Sequence, residues 1–276
     1  MHAVIHYGST EVATDFADAL SLAVPLDFDG PQPNAFGLRH ATARAVETAD
    51  FVGDTRRGGA INCEELSLTP HGNGTHTECI GHLTTERIAV SEVLHGGLFL
   101  AALVTVRPTP AVAQDPYPAP PPGDRWITRQ ALSTALEELW PTPAARPPLS
   151  GLIVRTLPND ADKLTRTYPV EPSPAYFSAD AVDFLVENGI DHLVTDLPSL
   201  DRSVDGGALV AHRRFWGMSE ASRLAGGGAR HHATITELAF IAPTVRDGLY
   251  VMNLQVPAFL TDAVPSRPLV YPARLR

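Results

Sequence analysis

The sequence predicts a mixed α/β fold in a single domain spanning residues 1–276, and three observations carry that expectation. From about residue 98 onward, short apolar strands alternate with amphipathic helices, the layout of strands linked by helical crossovers. A length of 276 residues is too long for one small module and suits one large domain. With 44% apolar and 19% charged residues and a mean hydropathy of -0.03, the chain can bury a sizeable core.

In chain order, Ala3 to His6, Leu20 to Phe28, Ala41 to Val46 and Ile61 to Leu68 read as short strands broken by Gly and Pro. Gly96-Gly97 precedes the apolar run Leu98 to Val106, whose length and β-branched ending predict a buried strand. Seven prolines in the fifteen residues from Pro108 to Pro122 exclude helix and ladder, leaving an extended surface connection. A helix follows from Thr128, a suitable N-cap, to Trp140, with Leu132, Leu136 and Leu139 as its apolar stripe and Pro141 as its stop. After a strand at Leu152 to Thr156, Ser178 is placed to cap a helix over Ala179 to Asn188, and Gly189 to end it. Ile190 to Thr195, Thr234 to Ile241 and Leu249 to Val256 complete the strands, the last two joined by a turn around Asp247-Gly248. No internal repeat interrupts this reading.

Charge narrows the partners. Thirty-one acidic against twenty-one basic residues give a net charge of -10, which repels nucleic-acid phosphates and anionic lipid surfaces. Nucleic acid is therefore a poor candidate partner. Lys163 is the only lysine and Leu164 follows it, so neither a Schiff base nor a phosphate-binding loop is well provided for. No apolar run reaches the roughly 18 residues of a membrane span, and Met1-His2-Ala3-Val4 does not begin a signal peptide, so a cytoplasmic location is expected. Cys63 and Cys79 fit neither a disulfide framework nor a zinc-finger spacing. Cys79 lies among histidines, so a thiol nucleophile is weighed against a packed thiol.

The strongest local signal is the segment His71-Gly72-Asn73-Gly74-Thr75-His76-Thr77-Glu78-Cys79-Ile80-Gly81-His82. In an extended chain alternate residues share a face, so His76, Glu78 and His82 converge, and a bend at the glycines brings in His71. Two imidazoles and a carboxylate suit zinc, manganese or iron. A polar loop with uncoordinated histidines fits the same spacing. Glu237 bears on the choice: it interrupts an alternating apolar set of Ile235, Ala239 and Ile241, and a carboxylate on a buried face needs a cation, either an arginine or a metal. His212 is the best upstream companion for Glu237, while His231-His232 follows the loop-like Gly226-Gly227-Gly228.

Gly74-Thr75-His76-Thr77-Glu78 with His82 resembles the His-x-Gly-Thr-His-x-Asp-x-Pro-x-His signature of the metal-dependent cyclase family, which includes bacterial kynurenine formamidases and isatin hydrolases. Asp196-Leu197-Pro198-Ser199-Leu200-Asp201 is similar to the family's Asp-x-x-Ser-x-Asp turn, and His212 with Glu237 adds a further match. The resemblance implies a swivelling β/β/α fold, mixed sheets with a few flanking helices, and a site of one or two ions, Zn2+ or alternatively Mn2+. It further implies an arylformamidase-like amidohydrolase acting on small amides, assembled as a homodimer or higher homo-oligomer. Carried over by position, His76 and Glu78 hold the first metal, His212 and Glu237 a second that Glu78 bridges, and His82 transfers protons. Glu78 stands for the usual aspartate and Ile80 for the proline, while Gly72 occupies the place of the first histidine, with His71 displaced by one as a further ligand.

On this reading the metal lowers the pKa of bound water and polarises a carbonyl, hydroxide attacks, and His82, an imidazole of a type that titrates near neutrality, shuttles the proton. Phe36 and Trp216 are candidates for an aromatic wall over a planar substrate or for plain core. A metal-dependent lyase or cyclising enzyme, and a relative that binds without turnover, are the alternatives.

Overall fold

The computed structural model describes residues 1–113 and 120–276, so part of the proline-rich connection lies outside the described residues. The centre is one large mixed sheet. In spatial order its strands are His2–Tyr7, Thr10–Asp15, Leu269–Leu275, Gly248–Asn253, Leu98–Val106, Gly151–Thr156, His192–Thr195, Thr234–Glu237, His76–Cys79 and Ala263–Pro265, with Leu20–Ser21 added on Leu269–Leu275. The four strands from Leu98–Val106 to Thr234–Glu237 run parallel and in chain order, and the other pairs are antiparallel.

The parallel strands are buried on both faces, which is why Leu98 to Val106 reads as a continuous apolar run. Leu100, Ala102, Val104, Leu152, Val154 and Leu193 face a core shared with the helices Arg129–Leu139, Ala179–Glu187 and Val210–Trp216. Phe99, Ala101, Leu103, Ile153 and Val194 point the other way, into a second core closed by Leu22, Ala239, Ile241 and Met252. Among the described residues there are four helices, the fourth being Val90–Val93, and none is long and apolar enough to cross a membrane.

Thr128 caps its helix as expected, accepting the Ala131 amide at 3.2 Å. Ser178 does not: its hydroxyl donates to the Ile127 carbonyl at 3.0 Å and leaves the helix without a side-chain cap. The early strands are shorter than expected. Ala41 to Val46 and Ile61 to Leu68 contract to Thr42–Ala45 and Glu64–Ser67, which pair only with each other in an arm whose faces never meet the core. Of Leu20 to Phe28 only Leu20–Ser21 joins the sheet, with one further bridge from Ala23 to Ala239.

Thr234 to Ile241 also breaks early. Leu238 takes a left-handed backbone, φ 51°, which ends the strand at Glu237 and sends Ile235 and Ala239 into different cores. Glu237 therefore does not interrupt one continuous apolar face. Asp247-Gly248 does not turn between paired strands either, because Gly248–Asn253 lies across the sheet between Leu98–Val106 and Leu269–Leu275.

Candidate metal centre

The His76–Cys79 strand lies between Thr234–Glu237 and Ala263–Pro265, with His76 opposite Glu237 and Glu78 opposite both Ile235 and Ala263. Alternation puts His76 and Glu78 on one face. Thr77 and Cys79 take the other: the Thr77 hydroxyl meets those of Thr236 at 2.7 Å and Ser266 at 2.8 Å, and Cys79 packs with Val90 and Val264. Burial pushes the Cys79 thiol up to about 12, the state of a packed thiol and not of a nucleophile.

Two glycines shape the approach to this strand. Gly74 sits at φ 132°, a backbone that side-chain-bearing residues rarely adopt, and its carbonyl lies 3.0 Å from His76 Nδ1. A carbonyl only accepts, so Nδ1 carries the proton and Nε2 presents its lone pair. At Gly72 a Cβ would come within 2.5 Å of Leu38 Cδ1 and 3.1 Å of the Ala35 carbonyl oxygen. A histidine there would have to displace Leu38 and crowd the Ala35 carbonyl, whereas His71, one position earlier, already faces Glu78. Its Nδ1 lies 3.0 Å from Glu78 Oε2 and its Nε2 2.9 Å from Asp262 Oδ2.

The opposite wall comes from the Val210–Trp216 helix. Asp201 accepts the first amides of that helix, Ala211 at 2.8 Å and His212 at 3.0 Å, and the same carboxylate takes His212 Nδ1–H at 2.6 Å. One acid thus anchors the helix start and aims His212 Nε2 at Glu78 Oε1, 3.0 Å away, and Glu237 Oε1, 3.6 Å away, as carboxylates behind metal-ligating histidines do. The Leu200 amide donates to Glu237 Oε1 at 2.9 Å. His82, on the short 3-10 turn Ile80–His82, stacks 4.2 Å from His71 between ring centroids, with its Nδ1 3.2 Å from Asp262 Oδ2.

Glu78 and Glu237 are almost wholly buried, and among the described residues their only ion-pair partners are His71, His76 and His212. No arginine reaches Glu237. Burial disfavours an ionised Glu78, but the positive potential of His82 and His212 overrides it and holds the carboxyl well below the usual range. Burial likewise opposes a charged His212, which Glu78, Asp201 and Glu237 nonetheless drive well above its ordinary value. For His71, Asp262 and Glu78 overcome burial and push the pKa up to about 10.

His76 Nε2 and Glu78 Oε2 are buried without a hydrogen-bond partner, the latter although His71 Nδ1 is close, because the ring is not aligned to donate. Among the described residues, three groups have ligand atoms within 4.8 Å of one another: His71, His76 and Glu78; Glu78, His212 and Glu237; and the less buried His71, His82 and Asp262, of which the first two contain the orphaned atoms. Orphaned donor atoms in a histidine and carboxylate set fit a divalent transition metal, with Glu78 common to those two groups.

All six residues singled out from the sequence therefore converge: His71, His76, Glu78, His82, His212 and Glu237. His231 and His232 stay exposed, the latter 3.0 Å from Asp191. Trp216 is core, packed behind His212 with its indole N–H on the Ala233 carbonyl at 3.0 Å. Phe36 is not core: it is 36% exposed on a left-handed backbone, φ 59°. Lys163 is buried against Asp196 at 2.6 Å and spends its remaining donors on Thr156. A cavity of about 310 Å3 beside that pair, with five prolines among its lining residues, includes none of the site histidines. Sequence reasoning missed Asp262. Its single signal is an acid directly before a short apolar strand.

A family model described as "Putative cyclase" matches residues 9–202. Among solved structures, a predicted metal-dependent hydrolase from Bacillus stearothermophilus superposes with a TM-score of 0.58 at 14% identity, covering 92% of this chain and 97% of that one. Isatin hydrolase A from Labrenzia aggregata, bound to benzyl benzoate, gives 0.57 at 15% identity over 92% and 93% of the two chains. Isatin hydrolase A from Ralstonia solanacearum gives 0.56 at 14% identity over 92% and 91%. At these identities the likeness shows a shared fold. No curated protein matches the sequence.

Proposed function

For a chain that belongs to this cyclase family, we propose metal-dependent hydrolysis of an amide-type C–N bond in a small molecule, a formamide or a cyclic amide. One observation carries the reading: two buried carboxylates, Glu78 and Glu237, have only histidines as ion-pair partners among the described residues, and two potential ligand atoms of the cluster, His76 Nε2 and Glu78 Oε2, have no hydrogen-bond partner. His71, His76 and Glu78 would hold one ion and Glu78, His212 and Glu237 another, with Zn2+ the expected metal and Mn2+ the alternative.

A divalent ion in this position supplies Lewis acidity, acidifying water and polarising a carbonyl oxygen. The chain's own residues do the rest. Asp201 holds His212 in the tautomer that presents Nε2 to the carboxylates. His82, half-buried on the open side of the cluster, takes a proton from water and returns it to the leaving nitrogen.

Elemental analysis of the purified protein, followed by a screen of aryl formamides and cyclic amides, tests the reading. At least one equivalent of zinc or manganese and chelator-sensitive turnover are expected. Less than about a tenth of an equivalent after incubation with metal overturns it.

A further inference from the structure

We infer that Asp262 is a positioning residue for the reaction proposed above, its Oδ2 fixing the tautomer and direction of His82 and His71 together. The acid is carried in by the sheet. Ala263–Pro265 pairs with His76–Cys79, and the Asp262 carbonyl accepts the Cys79 amide at 3.0 Å, so the pairing that places Glu78 also places Asp262. Gly81 next to it has no room for a side chain, because a Cβ there would come within 2.1 Å of the Ile88 carbonyl oxygen and 3.3 Å of Asp262 Cβ.

Asp262 Oδ2 lies 2.9 Å from His71 Nε2 and 3.2 Å from His82 Nδ1. A carboxylate only accepts, so each of those ring nitrogens is one that carries a proton. His71 then turns Nδ1 toward Glu78, and His82 is left with Nε2 as the nitrogen that exchanges protons with a substrate. The two rings lie 4.2 Å apart at 34°, so turning one displaces the other. A free imidazole favours the opposite tautomer, protonated on Nε2. Without Asp262, His82 would present an N–H where a base is required. The motif that carries the family resemblance ends at His82, and this acid follows 180 residues later.

The inference rests on His82 as the proton carrier, and its first test does not need turnover. In the zinc-loaded full chain with 15N-labelled histidine, the His82 imidazole, assigned by its loss in His82→Gln, should be protonated on Nδ1. In Asp262→Ala it should shift largely to Nε2–H. An unchanged tautomer, or a His82 nitrogen bearing the shift of a zinc ligand in the wild type, overturns the proposal.

With any substrate from the screen, Asp262→Ala and the isosteric Asp262→Asn should lower kcat by about ten- to a hundredfold with little change in KM. Removing Asp262 should cost clearly less in the His82→Ala background than in the wild type, the remainder passing through His71, whereas fully additive losses would show that Asp262 does not act through His82 and overturn the proposal. If no substrate is turned over yet the tautomer shifts as expected, the hydrolase reading falls, while the control of the His82 tautomer by Asp262 stands apart from it.

Discussion

His71 is where this site departs most visibly from its family's motif, and its chemistry is open to a direct test. Without metal its pKa is pushed up to about 10 by Asp262 and Glu78, so near pH 7 the ring carries a second proton that a metal must displace from Nδ1. Metal affinity, followed by chelator competition, is expected to rise between about pH 7 and 10. The sign reverses for the metal-free fold: a raised histidine pKa stabilises fully below the ordinary value of 6.5 and loses that contribution as pH rises through about 10. Melting of the metal-free protein should therefore fall across that range more steeply than in His71→Gln, and equal slopes would count against the pairing. For His82 the expectation is different. His82→Ala should keep its metal while losing about a hundred- to ten-thousandfold in turnover. Elemental analysis beside the rate separates the two effects, and metal loss would make His82 a ligand. His71, His76 and His82 were legible because they crowd into twelve residues around one short strand. Asp262 was not, because its role arises from pairing with a strand far away in sequence, which leaves no local period to read.

At the scale of elements, the 35–38 turn and the 71–76 segment are fitted to each other through Gly72, where a Cβ meets Leu38 and the Ala35 carbonyl. Gly72→His, which restores the family's residue at that position, is expected to destabilise the fold by about 1–3 kcal/mol and to weaken metal binding. Chemical denaturation and metal titration check this. A variant as stable as the wild type that binds metal more tightly would show that the turn yields easily. The helices Arg129–Leu139 and Ala179–Glu187 and the long central strands were legible in the sequence because each has a buried stripe or two buried faces and a residue that stops it, such as Pro141 after Trp140, whereas Val210–Trp216, which carries His212, was not legible as a helix. The Thr42–Ala45 and Glu64–Ser67 arm offers no such contrast, since solvent reaches it on both sides. The break at Leu238 was hidden for another reason: a leucine gives no sign that it will adopt a left-handed backbone.

Across the whole molecule, the centre joins stretches of chain that are remote in sequence: residues 71–82, His212 on a helix, Glu237 at a strand end and Asp262 before an edge strand. An ion bound by the folded state alone stabilises it by mass action, by about 2.7 kcal/mol at a hundredfold excess over Kd. For a domain of this size that corresponds to a rise in melting temperature of roughly 5–10 °C, reversed by a chelator. A melting temperature indifferent to both metal and chelator would mean that the cluster holds no ion in the folded state. The order of strands in the sheet has a consequence for the chain as it is made. His76–Cys79 is flanked by Thr234–Glu237 and Ala263–Pro265, so its neighbours are synthesised more than 150 residues after it. Until residue 237 has left the ribosome, Glu78 and its histidines have neither the Thr234–Glu237 strand to join nor opposing ligands to close around an ion. A chain stopped between residues 240 and 260 would carry both ligand groups but lack Asp262, and its His76–Cys79 strand would be left as an open edge of the sheet.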